Sequence, residues 1–232
     1  MINLYQLPQL SGRNYSFSPF CLKLELYLKA TNLNYHNNFS FEFNKSPTGK
    51  MPYIEIKGKK IADSNLIIQM LNKQYQLDLD YHLTNKQKAI SHSFIRLCED
   101  SLYPIILYSR WLDKNNYIWQ KEFIKAIKLP KLMANIVYKV SRKNIFRQLN
   151  AYGLASLTSN EVYAKAESNL RAISEYLDGQ KNFFNDKLSL VDIVVFSFVI
   201  NAIDGSCGKR LEEFTKELTF NNFIHNMQSF LM

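Results

Sequence analysis

Every strand signal in this chain falls before residue 63, and from residue 86 onward the patterning is helical. That division limits the fold more than any single motif does. INLYQL (2–7) is a short β-rich segment ending near Pro8, and YHNNFSFEF (35–43) alternates enough to be a second strand. PYIEI turns at Lys57-Gly58 and returns through KKIA as a hairpin. Between the first two strands, SPFCLKLELYLKA has the order of a helix start: Ser18 at the N-cap, Pro19 at the first helical position, then good helix formers to Ala30. Apolar residues lie on nearly every side of it, so the helix is expected to be covered on two faces. NKSPTGK (44–50) reads as an irregular connection, and a helix from Ser64 to about Tyr75 carries Leu66, Ile67, Met70 and Leu71 on one stripe. Helices are then expected over 86–112, 116–128, 131–149, 159–178, 189–202 and 209–217, with Pro104 and Pro130 as kinks or breaks. The fold class is α+β: a small α/β domain over 1–75, a polar linker over 76–85 and an all-α domain over 86–232.

With 232 residues, 47% of them apolar, the chain can build its own core without metals or disulfides. Cys21, Cys98 and Cys207 lie far apart, and His36, His82, His92 and His225 make no ligand spacing with them, so the expectation is no metal and a reducing compartment. MINLYQLPQLSGRN has no basic stretch leading into an apolar one, which points to the cytoplasm. LVDIVVFSFVINAI (190–203) is interrupted by Asp192 and falls short of the about 20 residues a spanning helix needs, so it reads as a buried helix. The formal charge of +9 is uneven, with nine Lys or Arg against two acids over 113–147, interleaved with apolar and aromatic residues. Such a segment suits either a solvated face whose lysine stems cover apolar surface or peripheral contact with anionic lipid. No nucleic-acid-binding module accompanies the charge, and nucleic acid is set aside as a partner.

Three constellations bear on chemistry. In Lys50-Met51-Pro52 the proline opens a strand, where its missing N–H need not pair, and eleven residues later Asp63-Ser64 opens a helix. The hairpin between them can bring both to one place. The free N–H groups of that helix start would hold a carboxylate, with the Ser64 hydroxyl as an added donor, or Asp63 simply caps the helix. In Ser18-Pro19-Phe20-Cys21 a helix start faces both a hydroxyl and a thiol. A dipole end that lowers a thiol pKa by two units supplies roughly 2.7 kcal/mol, enough to ionise most of it at neutral pH. Ser18 cannot ionise usefully, but it can donate a hydrogen bond to another molecule's thiolate, and Cys21 one turn in suits a core position; these residues by themselves leave cap and reactive site equally open. The third constellation is Ser189 to Asp192, a capping box with Asp for the usual Glu or Gln.

In their order and separation these features resemble the glutathione transferase superfamily over nearly the whole chain. SPFCLKLELYL, GKMPYIE and GKKIADSNLIIQML look more specifically like its failed axon connections and metaxin branch, bacterial members included. The resemblance implies a thioredoxin-like first domain of order β-α-β-α-β-β-α and an all-helical second domain. It implies glutathione as co-substrate, held by Lys50, by the Met51 backbone before a cis Pro52, and by Asp63 and Ser64 at the γ-glutamyl end. Ser18 occupies the position that carries a catalytic Cys in omega-type and glutaredoxin-like relatives, which implies a serine that stabilises the glutathione thiolate, with Tyr5 ranked second and Ser16 and Cys21 behind it. Asp63 departs from the frequent Glu and reaches less far. Tyr103, Tyr108 and Trp111 are candidates to line a pocket for an electrophile that stays unidentified, and a homodimer is expected of the family. The alternative is a non-catalytic, metaxin-like interaction protein that keeps the fold. Metaxins work at membranes, whereas NNFIHNMQSFLM is too short and too polar to span one.

Overall fold

A computed structural model describes residues 1–184 and 187–231. Four strands, β1 (Ile2–Gln6), β2 (Tyr35–Phe39), β3 (Tyr53–Ile56) and β4 (Lys59–Ala62), form one mixed sheet in the order β2-β1-β3-β4. β1 runs parallel to β2, with Leu4 opposite Asn37, and antiparallel to β3, with Leu4 opposite Ile54. The strand period turns Ile2, Leu4 and Ile54 onto one face, where they meet Leu24 and Leu28 of α1 (Pro19–Ala30) and Ile67 and Leu71 of α2 (Ser64–Tyr75).

β2 ends at Phe39, short of residue 43, and the helix that the family order places between β2 and β3 is here a single 3₁₀ turn, Phe43–Lys45. Pro47 and Gly49 follow it and give that stretch nothing to continue with. The inward face of α2 is Ser64, Ile67, Ile68 and Leu71, while Leu66, expected on the buried stripe, is 57% exposed. Asp63 caps α2 through bonds to the Asn65 and Leu66 amides, and that start turns the first-turn leucine outward.

The helical part begins with α3 (Asn85–Arg96), started by a Thr84–Gln87 capping box. The long helix expected over 86–112 is divided by a π-helical turn, Leu97–Leu102, before α4 (Tyr103–Trp111). Pro104 has no N–H for the carbonyl four residues back, and the widened turn just ahead of it absorbs the missing bond. α5 (Tyr117–Ile127), α6 (Lys131–Ala151), α7 (Ser159–Leu177), α8 (Leu190–Ile203) and α9 (Lys209–Thr215) follow. α10 (Asn221–Gln228), unread in the sequence, buries Phe223 and Met227 one turn apart. No helix among the described residues is long and apolar enough to cross a membrane.

α8 is buried from Val191 to Ala202, and its Ser189–Asp192 box forms as the spacing predicts. It packs along α1, where the Phe20 ring meets Phe198 edge to face at 5.1 Å. α1 thus belongs to two cores: Leu24, Tyr27 and Leu28 face the sheet, and Leu22 and Leu26 face the helices. This double burial is why apolar residues surround α1 in the sequence.

Candidate active site

The start of α1 is fixed by two serines. Ser18 Oγ accepts the N–H of Cys21 at 3.4 Å, and the fully buried Ser16 Oγ donates to the Leu7 carbonyl at 2.7 Å while accepting the Ser18 amide at 3.2 Å. The start of α2 is fixed by Asp63, which sits at φ +73° and takes the amides of Asn65 and Leu66 at 2.9 and 3.1 Å. Its Oδ1 is spent on capping, and the buried Ser64 follows as the first helical residue. At the entry to β3 the Met51-Pro52 peptide is cis, and the Lys50 carbonyl before it accepts the Ser46 hydroxyl at 2.6 Å.

These pieces border one cleft of about 1290 Å³ between the sheet and the helices. Ser18, Lys50, Met51, Pro52, Asp63 and Ser64 all line it, so the two helix starts and the proline loop share a single space. Tyr103, Arg110, Trp111, Trp119 and Phe123 form part of its helical wall, and Val137, Ser141, Asn144, Ile145 and Gln148 of α6 extend it. Of the aromatic residues named from the sequence, Tyr103 and Trp111 reach the cleft, whereas Tyr108 packs edge to face against Tyr163.

Tyr5, Ser16 and Cys21 are not among the cleft residues. The Tyr5 ring stacks on Tyr53 at 4.5 Å, and the Ser16 hydroxyl is engaged inside its own loop. Cys21 is fully buried, and burial pushes its thiol up to about 11, outweighing the hydrogen bonds from Ser18, Leu7 and Ser16 that would lower it. The dipole end therefore does not make a thiolate of the protein's own cysteine.

Sequence reasoning missed the charged groups that brace the cleft. Arg110, 3% exposed, donates to the Phe17 carbonyl at 2.6 Å, to the Asn201 carbonyl at 2.8 Å and to Ser206 Oγ, and its guanidinium lies 4.8 Å from the Trp119 ring centre. Among the described residues no carboxylate lies within ion-pair distance of it. Its one sequence signal is a lone cation in the apolar run PIILYSRWL. The indole N–H of Trp119, also buried, has no hydrogen-bond partner among the described residues. Behind α2, the fully buried Lys23 pairs with Glu99 at 2.6 Å and donates to Asn65 at 2.9 Å, while Asn65 donates in turn to the second Glu99 oxygen. Arg96 closes the group on Glu99. Burial lowers the Lys23 ammonium to about 7, and the nearby Asp63 charge opposes that shift.

Residues 19–116 match the Glutathione S-transferase N-terminal domain family, and residues 166–225 match the Glutathione S-transferase C-terminal domain family. The chain belongs to the glutathione transferase superfamily. It is similar to Failed axon connections of Drosophila melanogaster, at 31% identity over 78% of this chain and 46% of that protein. It is also similar to the isoprene-epoxide glutathione S-transferase of a Rhodococcus strain, at 28% identity over 81% of each. Metaxin-1 of Sus scrofa is 28% identical over 67% of this chain and 51% of its own length. The chain thus spans about half the length of Failed axon connections and metaxin-1. Among solved structures, a glutathione transferase of Phanerochaete chrysosporium superposes with a TM-score of 0.66 at 17% identity, covering 99% of this chain and 96% of that one. A glutathione S-transferase of Ceriporiopsis subvermispora in complex with glutathione gives 0.64 at 16%, covering 99% and 97%. At that identity the likeness is one of fold: a four-stranded thioredoxin-like unit followed by helices.

Proposed function

We propose that this chain binds glutathione in the cleft and activates its thiol for attack on an apolar electrophile. The observation that carries the reading is the convergence of the Ser18 and Ser64 helix starts on one space. A tripeptide with a carboxylate at one end and a thiol near its middle suits two positive dipole ends facing a common cleft. In this reading the γ-glutamyl carboxylate meets Ser64, since Asp63 already holds the Asn65 and Leu66 amides, and the Asp63 carboxylate faces the γ-glutamyl ammonium. The cysteinyl part runs along Met51 and Pro52, and Lys50 supplies positive charge at the rim. The sulfur faces Ser18, whose oxygen accepts from the Cys21 amide and keeps its own proton to donate. A donor and a dipole end together stabilise the thiolate, which then forms the thioether as the electrophile's leaving group departs or its ring opens. The aromatic residues on the helical side of the cleft favour an apolar electrophile.

The expected result is retention on immobilised glutathione and turnover of a generic aryl halide or epoxide. Ser18→Ala should lower kcat by about ten- to a thousandfold with glutathione affinity little changed, while Ser64→Ala should weaken binding. The second reading, an interaction protein that keeps the fold, draws on the similarity to Failed axon connections and metaxin-1. A wild-type protein that ignores millimolar glutathione decides for it.

A further inference from the structure

α6 turns one side inward, where Ala134, Tyr138 and Leu149 are buried, and leaves another side bare. Leu132, Met133, Ile136 and Val140 are 76%, 53%, 56% and 56% exposed. At about 100° per residue these four fall within one sector of the helix; Lys143 and Arg147 continue that sector toward its end, and Lys139 borders it. Single exposed apolar residues are ordinary, but a contiguous stripe of large ones on a two-sided helix is not.

The charge on the same helix is one-sided. Residues 131–151 carry Lys131, Lys139, Arg142, Lys143 and Arg147 and no Asp or Glu. Among the described residues no carboxylate comes within ion-pair distance of Lys131, Lys139, Lys143 or Arg147. An apolar stripe continued by unpaired cations matches a surface that is apolar beneath and anionic on top. We propose that this face of α6 docks on an anionic lipid surface, with Leu132, Met133, Ile136 and Val140 entering the headgroup boundary and Lys139, Lys143 and Arg147 meeting lipid phosphates. A second copy of the chain is a poorer occupant, because a two-fold contact puts the same face on both sides and this helix carries cations with no acid to meet them. Leu129 and Val137, both exposed, also line the cleft, so docking brings the outer wall of the cleft to the lipid. The inference does not depend on the glutathione reading.

Co-sedimentation of the full chain with two kinds of vesicle tests it: phosphatidylcholine alone, and phosphatidylcholine with about 30% phosphatidylserine. The protein should pellet with the anionic vesicles only, and less as salt rises. Lys139→Gln with Lys143→Gln should lower the partition coefficient by about thirtyfold, the factor two surface cations contribute. Ile136→Asp with Val140→Asp should remove binding while the melting temperature stays put, since both positions are exposed. Wild-type protein left in the supernatant with both vesicles overturns the proposal. So do variants that bind like the wild type, or a stable dimer in sedimentation velocity that Ile136→Asp dissociates, which would assign the face to a second copy.

Discussion

A thiol three residues beyond a helix cap feels two opposing influences: the dipole end favours the thiolate, and burial favours the neutral form. In Cys21 burial prevails and the pKa rises to about 11. Cys207 is raised to about 11 as well, and Cys98 is raised by burial alone. Ser18, at the cap itself, keeps its place on the cleft, so the two residues divide capping and packing between them. Two consequences are measurable. At pH 8 the folded protein should react with a thiol-titrating disulfide at well under one equivalent, against three after unfolding, in keeping with its three buried free thiols. A native cysteine reacting at the rate of a free thiol would contradict the assignment of Cys21 to the core. For the thiols the pH dependence has a definite sign. Unfolded cysteines ionise near 9.0 while folded Cys21 and Cys207 hold their protons to about 11, so the native state binds more protons in that window. The thiol contribution to stability should therefore be level below pH 8.5 and fall as pH rises from about 9 to 11, by up to roughly 2.7 kcal/mol for each such thiol, while the lowered Lys23 ammonium, neutral when folded and protonated when unfolded above about 7, acts in the opposite direction. Buried tyrosines with raised pKa values, Tyr27 among them, act in the same direction as the thiols above pH 10. The difference in urea denaturation midpoint between the wild type and Cys21→Ala isolates the thiol: across this range it should shift against the wild type as pH rises.

α8 depends on a device four residues long. Asp192 takes the Ser189 amide at 2.8 Å, the Ser189 hydroxyl at 2.6 Å and the Phe183 amide at 2.7 Å, all buried. Asp192→Ala would strand those donors and remove the box, at a cost of about 2–4 kcal/mol. Calorimetry would detect a loss of that size readily, and an unchanged melting temperature would mean α8 is held by packing alone. The Lys23–Glu99 pair joins three elements, α1, the start of α2 and the π turn, and its energetics differ. Glu99→Ala should cost about 3–5 kcal/mol by leaving Lys23 buried without its carboxylate partner, whereas Lys23→Met with Glu99→Leu together should cost much less. These elements also show what the sequence discloses. The Ser189 box, the Pro19 helix start and the Lys57-Gly58 hairpin are local, their signals lie within a few residues, and all three form as read. The π turn before Pro104 and the outward Leu66 depend on how a helix meets its neighbours, which no short spacing encodes. α10 escaped because only Phe223 and Met227, among polar residues, mark its buried side.

At the scale of the molecule the cleft is a product of α1 serving two cores. The sheet side of the cleft was legible because Ser18, Met51, Pro52, Asp63 and Ser64 sit at the ends of recognisable elements. The helical side was not, because Arg110 and Trp119 arrive from α4 and α5 through packing between residues about 90 positions apart from the segments they brace. Arg110 is the clearest case of long-range control. Its guanidinium holds the Phe17 carbonyl, one residue before Ser18, and at the same time the end of α8 and the segment after it through Asn201 and Ser206. The Arg13–Asp204 ion pair at 3.0 Å ties the same loop to the same region. Arg110 thus holds the residue before Ser18 from the helical side, alongside the Ser16 hydrogen bond within the loop, although Ser18 itself begins a helix of the sheet unit. Arg110→Lys keeps the charge but loses the planar fork that reaches all three partners. Under the transferase reading it should lower kcat by about ten- to a hundredfold through misplacement of Ser18, while KM for glutathione, set largely at α2 and the proline loop, stays within about twofold. A kcat left intact would mean that the Ser16 hydrogen bonds suffice to hold the loop, and equal losses in kcat and affinity would place Arg110 against glutathione itself.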